Sequence, residues 1–104
     1  KSILFGAGHT AGAFINHYCL DDLFEYVVDE DENKHGLFMP KSKIPIVGPQ
    51  ALKTTDIKLC LFAVNPIHEE NIIQKHKQYL DRGGEFLSIC PLSKYSMFRD
   101  NISR

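Results

Sequence analysis

The residue types most able to do chemistry lie in a glycine-rich stretch near the start of the chain. Residues 6–11 read Gly-Ala-Gly-His-Thr-Ala, which fits the G-x-G-x-x-G/A pattern of turns that bind the phosphates of dinucleotides. Glycine lets the backbone approach a phosphate closely, and the following helix offers free N–H groups and the positive end of its dipole. The candidate binding residues here are Gly6, Gly8, His9 and Thr10.

Each of these four residues also has a structural interpretation. Gly6 and Gly8 suit any tight turn from a strand into a helix. Thr10 could cap the helix, and His9 could be an exposed polar residue of the loop. The pattern alone leaves open whether the turn binds a ligand or only redirects the chain.

Two further polar candidates, Asp29 and Asn65, each follow a run that is predicted to be a strand. Asp29 lies about 20 residues beyond the glycines, where an acid in dinucleotide-binding folds accepts hydrogen bonds from ribose hydroxyls. Alternatively, Asp29 starts a solvated acidic loop and Asn65 caps a helix. Three lysines could form a rim that attracts phosphate or could be scattered surface charges: Lys34, Lys41 and Lys43.

Strand-like and helix-like segments alternate along the chain, and this alternation must position the candidates. Strands are predicted at residues 2–5, 24–28, 57–64 and 85–89, and longer helices at 10–20 and 65–80. The proline-rich stretch between them allows a small strand at 46–47 and a short helix after Pro49. Such an order predicts an α/β fold, a Rossmann-like half domain with a mainly parallel sheet of about four strands and helices on both faces. Ligands of such sheets bind beyond the carboxyl ends of the strands.

Composition narrows the classes of function. The 104 residues make one domain, and the net charge of −1 gives no reason to expect nucleic acid as a partner. No apolar run approaches the roughly 18 residues that span a bilayer, so no membrane is expected. The chain starts at Lys1, directly before a strand, and we expect it to be a domain of a longer protein.

The reactive side chains show no pattern of a metal or catalytic site. The three cysteines are Cys19, Cys60 and Cys90, an odd number that favours buried free thiols in the cytoplasm. No C-x-x-C spacing predicts a metal site, no Walker lysine follows Gly12, and no nucleophile–base pair is recognisable. We therefore assign neither a metal ligand nor a catalytic residue.

The middle of the chain carries a set of residues in a specific order: Tyr26-Val27-Val28-Asp29, Lys34, Gly36, Pro40, Ile44-Pro45-Ile46-Val47, Asn65 and Arg82-Gly83-Gly84-Glu85-Phe86. In these residues the chain resembles the C-terminal, Rossmann-like domain of sugar C-methyltransferases, and the similarity covers roughly residues 3–91. A generic Rossmann-like half does not require Ile-Pro-Ile-Val or Lys-x-Gly at these places.

The resemblance implies an accessory role. Members of that family use S-adenosylmethionine to methylate a carbon of nucleotide-linked deoxysugars. The methyl donor binds a separate central domain, and the C-terminal domain helps to form the wall of the sugar-nucleotide cleft. The resemblance therefore implies no cofactor in this part of the chain, and as partners a sugar or nucleotide-sugar and the rest of its own protein.

The first helix departs from the family pattern. The family typically carries a Lys-Gly-Asn-Thr-like string there, whereas this chain has Thr10-Ala11-Gly12-Ala13. A lysine that could contact a phosphate is therefore missing at this turn.

Two other classes of function remain open. The glycine turn, the acidic end of the second strand and the Pro-Ile-Val-Gly segment also resemble the N-terminal nucleotide-sugar-binding domain of bacterial sugar acyltransferases. The third possibility is a non-catalytic interaction domain.

Overall fold

The computed structural model describes residues 1–98, which alternate between strands and helices. The strands are β1 (Ser2–Phe5), β2 (Phe24–Val28), β3 (Ile46–Val47), β4 (Leu59–Phe62) and β5 (Glu85–Ser88). The α-helices are α1 (His9–His17), α2 (Ala51–Thr54), α3 (Glu69–Lys75) and α4 (Lys77–Asp81). Single 3-10 turns span Glu32–Lys34 and Pro66–His68.

The five strands form one parallel sheet in the order β3-β2-β1-β4-β5. In the centre, Leu4 of β1 pairs with Val27 of β2 on one side and Leu61 of β4 on the other. From β1 the sheet extends through β2 to β3 on one side. The chain then crosses back and places β4 on the other side of β1, so the strand order reverses between β1 and β4. The predicted α/β fold is confirmed, and the small strand at Ile46–Val47 is a fifth member of the sheet.

Helices cover both faces of the sheet because neighbouring residues of a strand point to opposite sides. Leu4 packs with Ala11 and Ile15 of α1, whereas Ile3 and Phe5 pack on the face that carries α2, α3 and α4. All four residues of β1 are buried. Burial on both faces explains why the central strands are nearly continuous apolar runs.

The prediction of one continuous helix over residues 65–80 was wrong. The helix breaks at His76, whose φ of −120° and ψ of 36° are not helical, and whose N–H lies near the carbonyls of both Ile72 and Ile73. The break lets Tyr79 turn into the core, where its hydroxyl donates to the Ile57 carbonyl at 2.8 Å. Gly84 lies against the Tyr79 ring, and a Cβ atom at this position would clash with the ring. A tertiary contact thus overrides the local helical pattern.

Two other predictions need correction at the level of single residues. Helix α1 ends at His17 rather than near Leu20, and Cys19 just beyond it has a left-handed backbone with φ of 56°. Cys60 is buried as expected, but Cys19 is exposed and Cys90 is partly exposed. Within residues 1–98, no helix has the length and apolar character needed to cross a membrane.

Replacement of Gly6 by alanine should destabilise the fold. Gly6 has φ of +110°, and an added Cβ would lie 2.7 Å from Cγ1 of Val64 and 2.9 Å from the carbonyl oxygen of Ala63. We expect Gly6→Ala to lower the free energy of unfolding by about 2–4 kcal/mol in urea denaturation, from backbone strain and overpacking together.

Gly8→Ala is the matched control for Gly6→Ala. Gly8 has φ of −103°, and no atom lies within 4 Å of the added Cβ. Because Gly8 is the N-cap of α1, where glycine is favoured over alanine, a loss of at most about 1 kcal/mol is expected. Equal losses in the two variants would contradict the assigned role of Gly6.

Candidate functional site

The turn between β1 and α1 lies at the point where the strand order reverses. The Gly6 N–H donates to the Val28 carbonyl at 2.7 Å, which ties the turn to β2. On its other side Gly6 touches Ala63 and Val64, which follow β4. Ligands of open parallel sheets bind in the crevice at such a reversal, so the turn occupies the expected place for a site.

Asp29 fastens this turn to the loop after β2. One carboxylate oxygen accepts from the Ala7 N–H at 2.7 Å, and the other accepts from the Asp31 N–H at 2.8 Å. The Asp29 side chain is 16% exposed. A carboxylate oxygen has two lone pairs, so each oxygen retains the capacity to accept a further hydrogen bond, for example from a ribose hydroxyl.

Lys34 brings a positive charge to the same turn. Its ammonium donates to the Ala7 carbonyl at 3.3 Å and lies 3.9 Å from an Asp29 carboxylate oxygen. Lys41 and Lys43 instead lie at the exposed end of the loop before β3, where both have left-handed backbones. Of the three lysines that could form a rim or be scattered surface charges, Lys34 is the one found in contact with the turn among residues 1–98.

The N-terminus of α1 has no side-chain cap. Gly8 occupies the cap position, and no acidic residue lies in the first turn. Thr10, for which a capping role was considered, is exposed and makes no cap hydrogen bond. Across the described part of the chain, the N–H groups of Gly8, His9 and Thr10 have no hydrogen-bond acceptor. These donors, at the positive end of the helix dipole, suit an anionic group.

Two cavities flank the turn. A groove of about 550 Å³ runs along α1 and is lined by Ala7, Gly8, His9, Gly12, Ala13, Asn16, Met39 and Pro40. A cavity of about 260 Å³, which we call the switch-point cavity, is lined by Phe5, Gly6, Asp29, Glu30, Val64, His68 and Ile72. The structure thus gathers four of the predicted residues around one turn, with Gly8 and His9 facing the groove and Gly6 and Asp29 facing the switch-point cavity.

The other two predicted residues lie outside both linings. Thr10 is on the exposed first turn of α1. Asn65 is exposed, and its side chain accepts from the Ile67 N–H at 3.1 Å, which caps the short turn before α3. This hydrogen bond fits the alternative interpretation, in which Asn65 caps a helix.

Sequence reasoning missed two members of the switch-point cavity, Glu30 and His68. In the sequence, Glu30 falls in a run of acidic residues that suggests a solvated loop. In the structure, its carboxylate oxygen lies 3.4 Å from the ammonium nitrogen of Lys75 in α3. His68 enters the cavity because the chain makes a short turn between β4 and α3. The position of each side chain depends on a contact between distant parts of the chain, for which the local sequence carries no signal.

Several pKa changes occur on the side of the sheet that carries α2, α3 and α4. Burial raises the pKa of the Cys60 thiol and of the Tyr79 phenol, and burial lowers the pKa of His76. Cys60 and Tyr79 belong to the core under α2, α3 and α4. Among residues 1–98, no cluster of three or more histidine, cysteine, aspartate or glutamate residues could hold a metal ion.

Comparisons with known proteins agree with the resemblance seen in residues 26–47 and 82–86. The model of the family described as the C-methyltransferase C-terminal domain matches residues 1–91. A solved structure, UDP-D-quinovosamine 4-dehydrogenase from Vibrio fischeri, superposes with a TM-score of 0.66 at 22% identity and covers 99% of this chain and 83% of that chain. At so low an identity, the similarity to the dehydrogenase structure shows only that the two folds are alike. No curated protein sequence matches this chain.

Replacement of Asp29 should loosen the turn. Asp29→Ala leaves the N–H groups of Ala7 and Asp31 without their carboxylate acceptor. We expect a loss of about 1–3 kcal/mol in the free energy of unfolding, whereas Asp29→Asn keeps one acceptor oxygen and should lose less. The matched control is Asp31→Ala, which removes an exposed cap of the Asn33 N–H and should cost about 0.5–1 kcal/mol. If Asp29→Ala is as stable as the wild type, the hydrogen bonds of the Asp29 carboxylate do not stabilise the turn.

Proposed function

Because the chain belongs to the family of C-methyltransferase C-terminal domains, we propose that it forms part of the substrate cleft of an S-adenosylmethionine-dependent C-methyltransferase that acts on a sugar or nucleotide-sugar. In this proposal another domain of the same bacterial, cytoplasmic protein binds the methyl donor. This part of the chain contributes substrate binding and no catalytic residue. The family match favours this function over the acyltransferase-domain alternative.

The observation that carries the proposal is the uncapped start of α1 beside the Asp29 carboxylate. A nucleotide-sugar offers both a diphosphate and several hydroxyl groups. The free N–H groups of Gly8, His9 and Thr10 would suit the diphosphate, and the remaining lone pairs of Asp29 would suit hydroxyls. The solved neighbour is named for a UDP-linked sugar, and we extend that class of ligand to this chain as part of the proposal.

Lys34 would supply the cation that the family usually carries at the start of the first helix. Here that string reads Thr10-Ala11-Gly12-Ala13, without a lysine. The Lys34 ammonium contacts the Ala7 carbonyl from the loop after β2, so a positive charge reaches the same turn from a different element. The departure from the family pattern is then compatible with phosphate binding.

Titration of the ¹⁵N-labelled protein with dTDP- and UDP-sugars tests this function. We expect millimolar affinity, with amide shifts concentrated at Gly8, His9, Thr10 and Asp29. Shifts confined to other places, or no shift at millimolar ligand, would refute the proposal.

Lys34→Gln should weaken nucleotide-sugar binding by about tenfold, since a hydrogen bond to a charged group contributes about 1.5 kcal/mol. Lys41→Gln is the matched control because Lys41 is an exposed lysine of the neighbouring loop. It should bind as the wild type does. Equal weakening in both variants would indicate a general charge effect and contradict a specific role of Lys34.

A further inference from the structure

His35 contacts the backbone of the candidate site although it lies outside the linings of both cavities. It directly follows the 3-10 turn Glu32–Lys34, and its side chain is partly buried. Its ring nitrogen Nε2 lies 2.7 Å from the backbone carbonyl oxygen of Asp29. Because a carbonyl oxygen can only accept a hydrogen bond, Nε2 must carry the hydrogen of the ring. His35 thus donates a hydrogen bond to the residue that joins the turn to β2.

The bond from His35 completes the set of contacts that hold Asp29. The Asp29 N–H donates to the Val47 carbonyl at 3.0 Å, and its carboxylate oxygens accept from the N–H groups of Ala7 and Asp31. With both its N–H and its carbonyl bonded, the backbone of Asp29 has a fixed orientation. That orientation sets the direction of the Cα–Cβ bond, and therefore where the carboxylate reaches.

The same bond closes the loop that carries Lys34. The backbone N–H groups of Lys34 and His35 donate to carbonyls inside the loop. The His35 side chain instead reaches back to Asp29, where the loop begins. Lys34 precedes His35, and its ammonium donates to the Ala7 carbonyl at 3.3 Å. Closure of the loop by His35 therefore limits how far the Lys34 ammonium can move from the turn.

Gly48, the residue after β3, leaves room for the His35 ring. A Cβ atom added at Gly48 would lie 2.8 Å from Cε1 and 3.2 Å from Nδ1 of that ring. It would also meet the side chain of Gln50, which is exposed and can turn aside. The backbone of Gly48 lies outside the left-handed region, so its conformation does not require glycine. An alanine at this position would push the His35 ring from its place.

We propose that His35 is a positioning residue for the nucleotide-sugar. By binding the Asp29 carbonyl, it orients the Asp29 carboxylate toward the hydroxyls of the ligand and keeps the Lys34 ammonium near its phosphates. The ligand part of this inference rests on the proposed function. The effect of His35 on the turn does not, because it concerns contacts that are present without ligand.

Amide hydrogen exchange at Ala7 tests the positioning effect without ligand, because the Ala7 N–H donates to the Asp29 carboxylate. In His35→Asn the amide nitrogen lies near the former position of Nδ1 and cannot reach the Asp29 carbonyl. Exchange at Ala7 should therefore be at least about fivefold faster than in the wild type. In His35→Gln the amide nitrogen lies near the former position of Nε2, and the rate should stay within about twofold of the wild type.

The central Leu4 amide is the internal control and should keep the wild-type rate in both variants, since Leu4 lies in the core. Equal exchange rates at Ala7 in His35→Asn and His35→Gln would overturn the proposal.

Gly48→Ala displaces the His35 ring without replacing His35. Alone, it should accelerate exchange at Ala7 about as much as His35→Asn does. In His35→Ala the ring is gone, so the further change Gly48→Ala should alter the rate by less than about twofold. If Gly48→Ala has the same effect in both backgrounds, it acts independently of the ring, and the proposal fails.

Titration of the ¹⁵N-labelled variants with UDP-glucose tests the consequence for binding. His35→Asn should bind about fivefold more weakly than the wild type, and His35→Gln should bind within about twofold of it. Equal affinities of these two variants would overturn the ligand part of the inference. If the wild type itself shows no shifts at residues 8–10 at millimolar UDP-glucose, the proposed function fails and the ligand part fails with it. Exchange at Ala7 still decides whether His35 positions Asp29.

Discussion

The candidate site depends on the hydrogen bonds that the Asp29 carboxylate accepts. They join the turn after β1 to the loop after β2, so the ends of two neighbouring strands behave as one unit. The groove along α1 and the switch-point cavity lie on either side of that turn. A change in the path of Gly6–Gly8 would therefore alter both cavities together. A carboxylate that serves the scaffold and retains free lone pairs can also serve a ligand without first being rearranged.

Among the residues that carry the resemblance, Arg82, Gly83 and Gly84 build part of the scaffold. The Arg82 guanidinium donates to the carbonyl of Leu52 in α2 and to that of Thr55, which directly follows α2. Gly83 has a left-handed backbone, and Gly84 makes room for the Tyr79 ring. The Arg-Gly-Gly motif thus joins α2, α4 and β5 and has a structural role.

The sequence was sufficient to predict the class of fold because strand and helix periodicities are local and the apolar runs are long. It also placed Asp29 and the glycine turn at the same end of the sheet, since parallel strands end at one edge. The break at His76 could not be predicted, because it depends on how Tyr79 packs against Gly84. The contact of Lys34 with Ala7 joins residues far apart in the chain, and the burial of Glu69 depends on Ser93. Such contacts arise from the folded topology, and the sequence near either residue does not predict them.

The position of β1 at the centre of the sheet has a consequence for how the chain assembles. The β1 strand pairs with β2, which follows soon after it, and with β4, which lies beyond β3 and α2. Pairing of β1 with β2 and of β2 with β3 closes short loops, whereas pairing of β1 with β4 closes a long one and carries the larger loss of chain entropy. One edge of β1 therefore stays unpaired until β4, in the second half of the chain, pairs with it. Until β4 pairs with it, this apolar strand edge is open to pairing with other unfolded chains, which is a general route to aggregation.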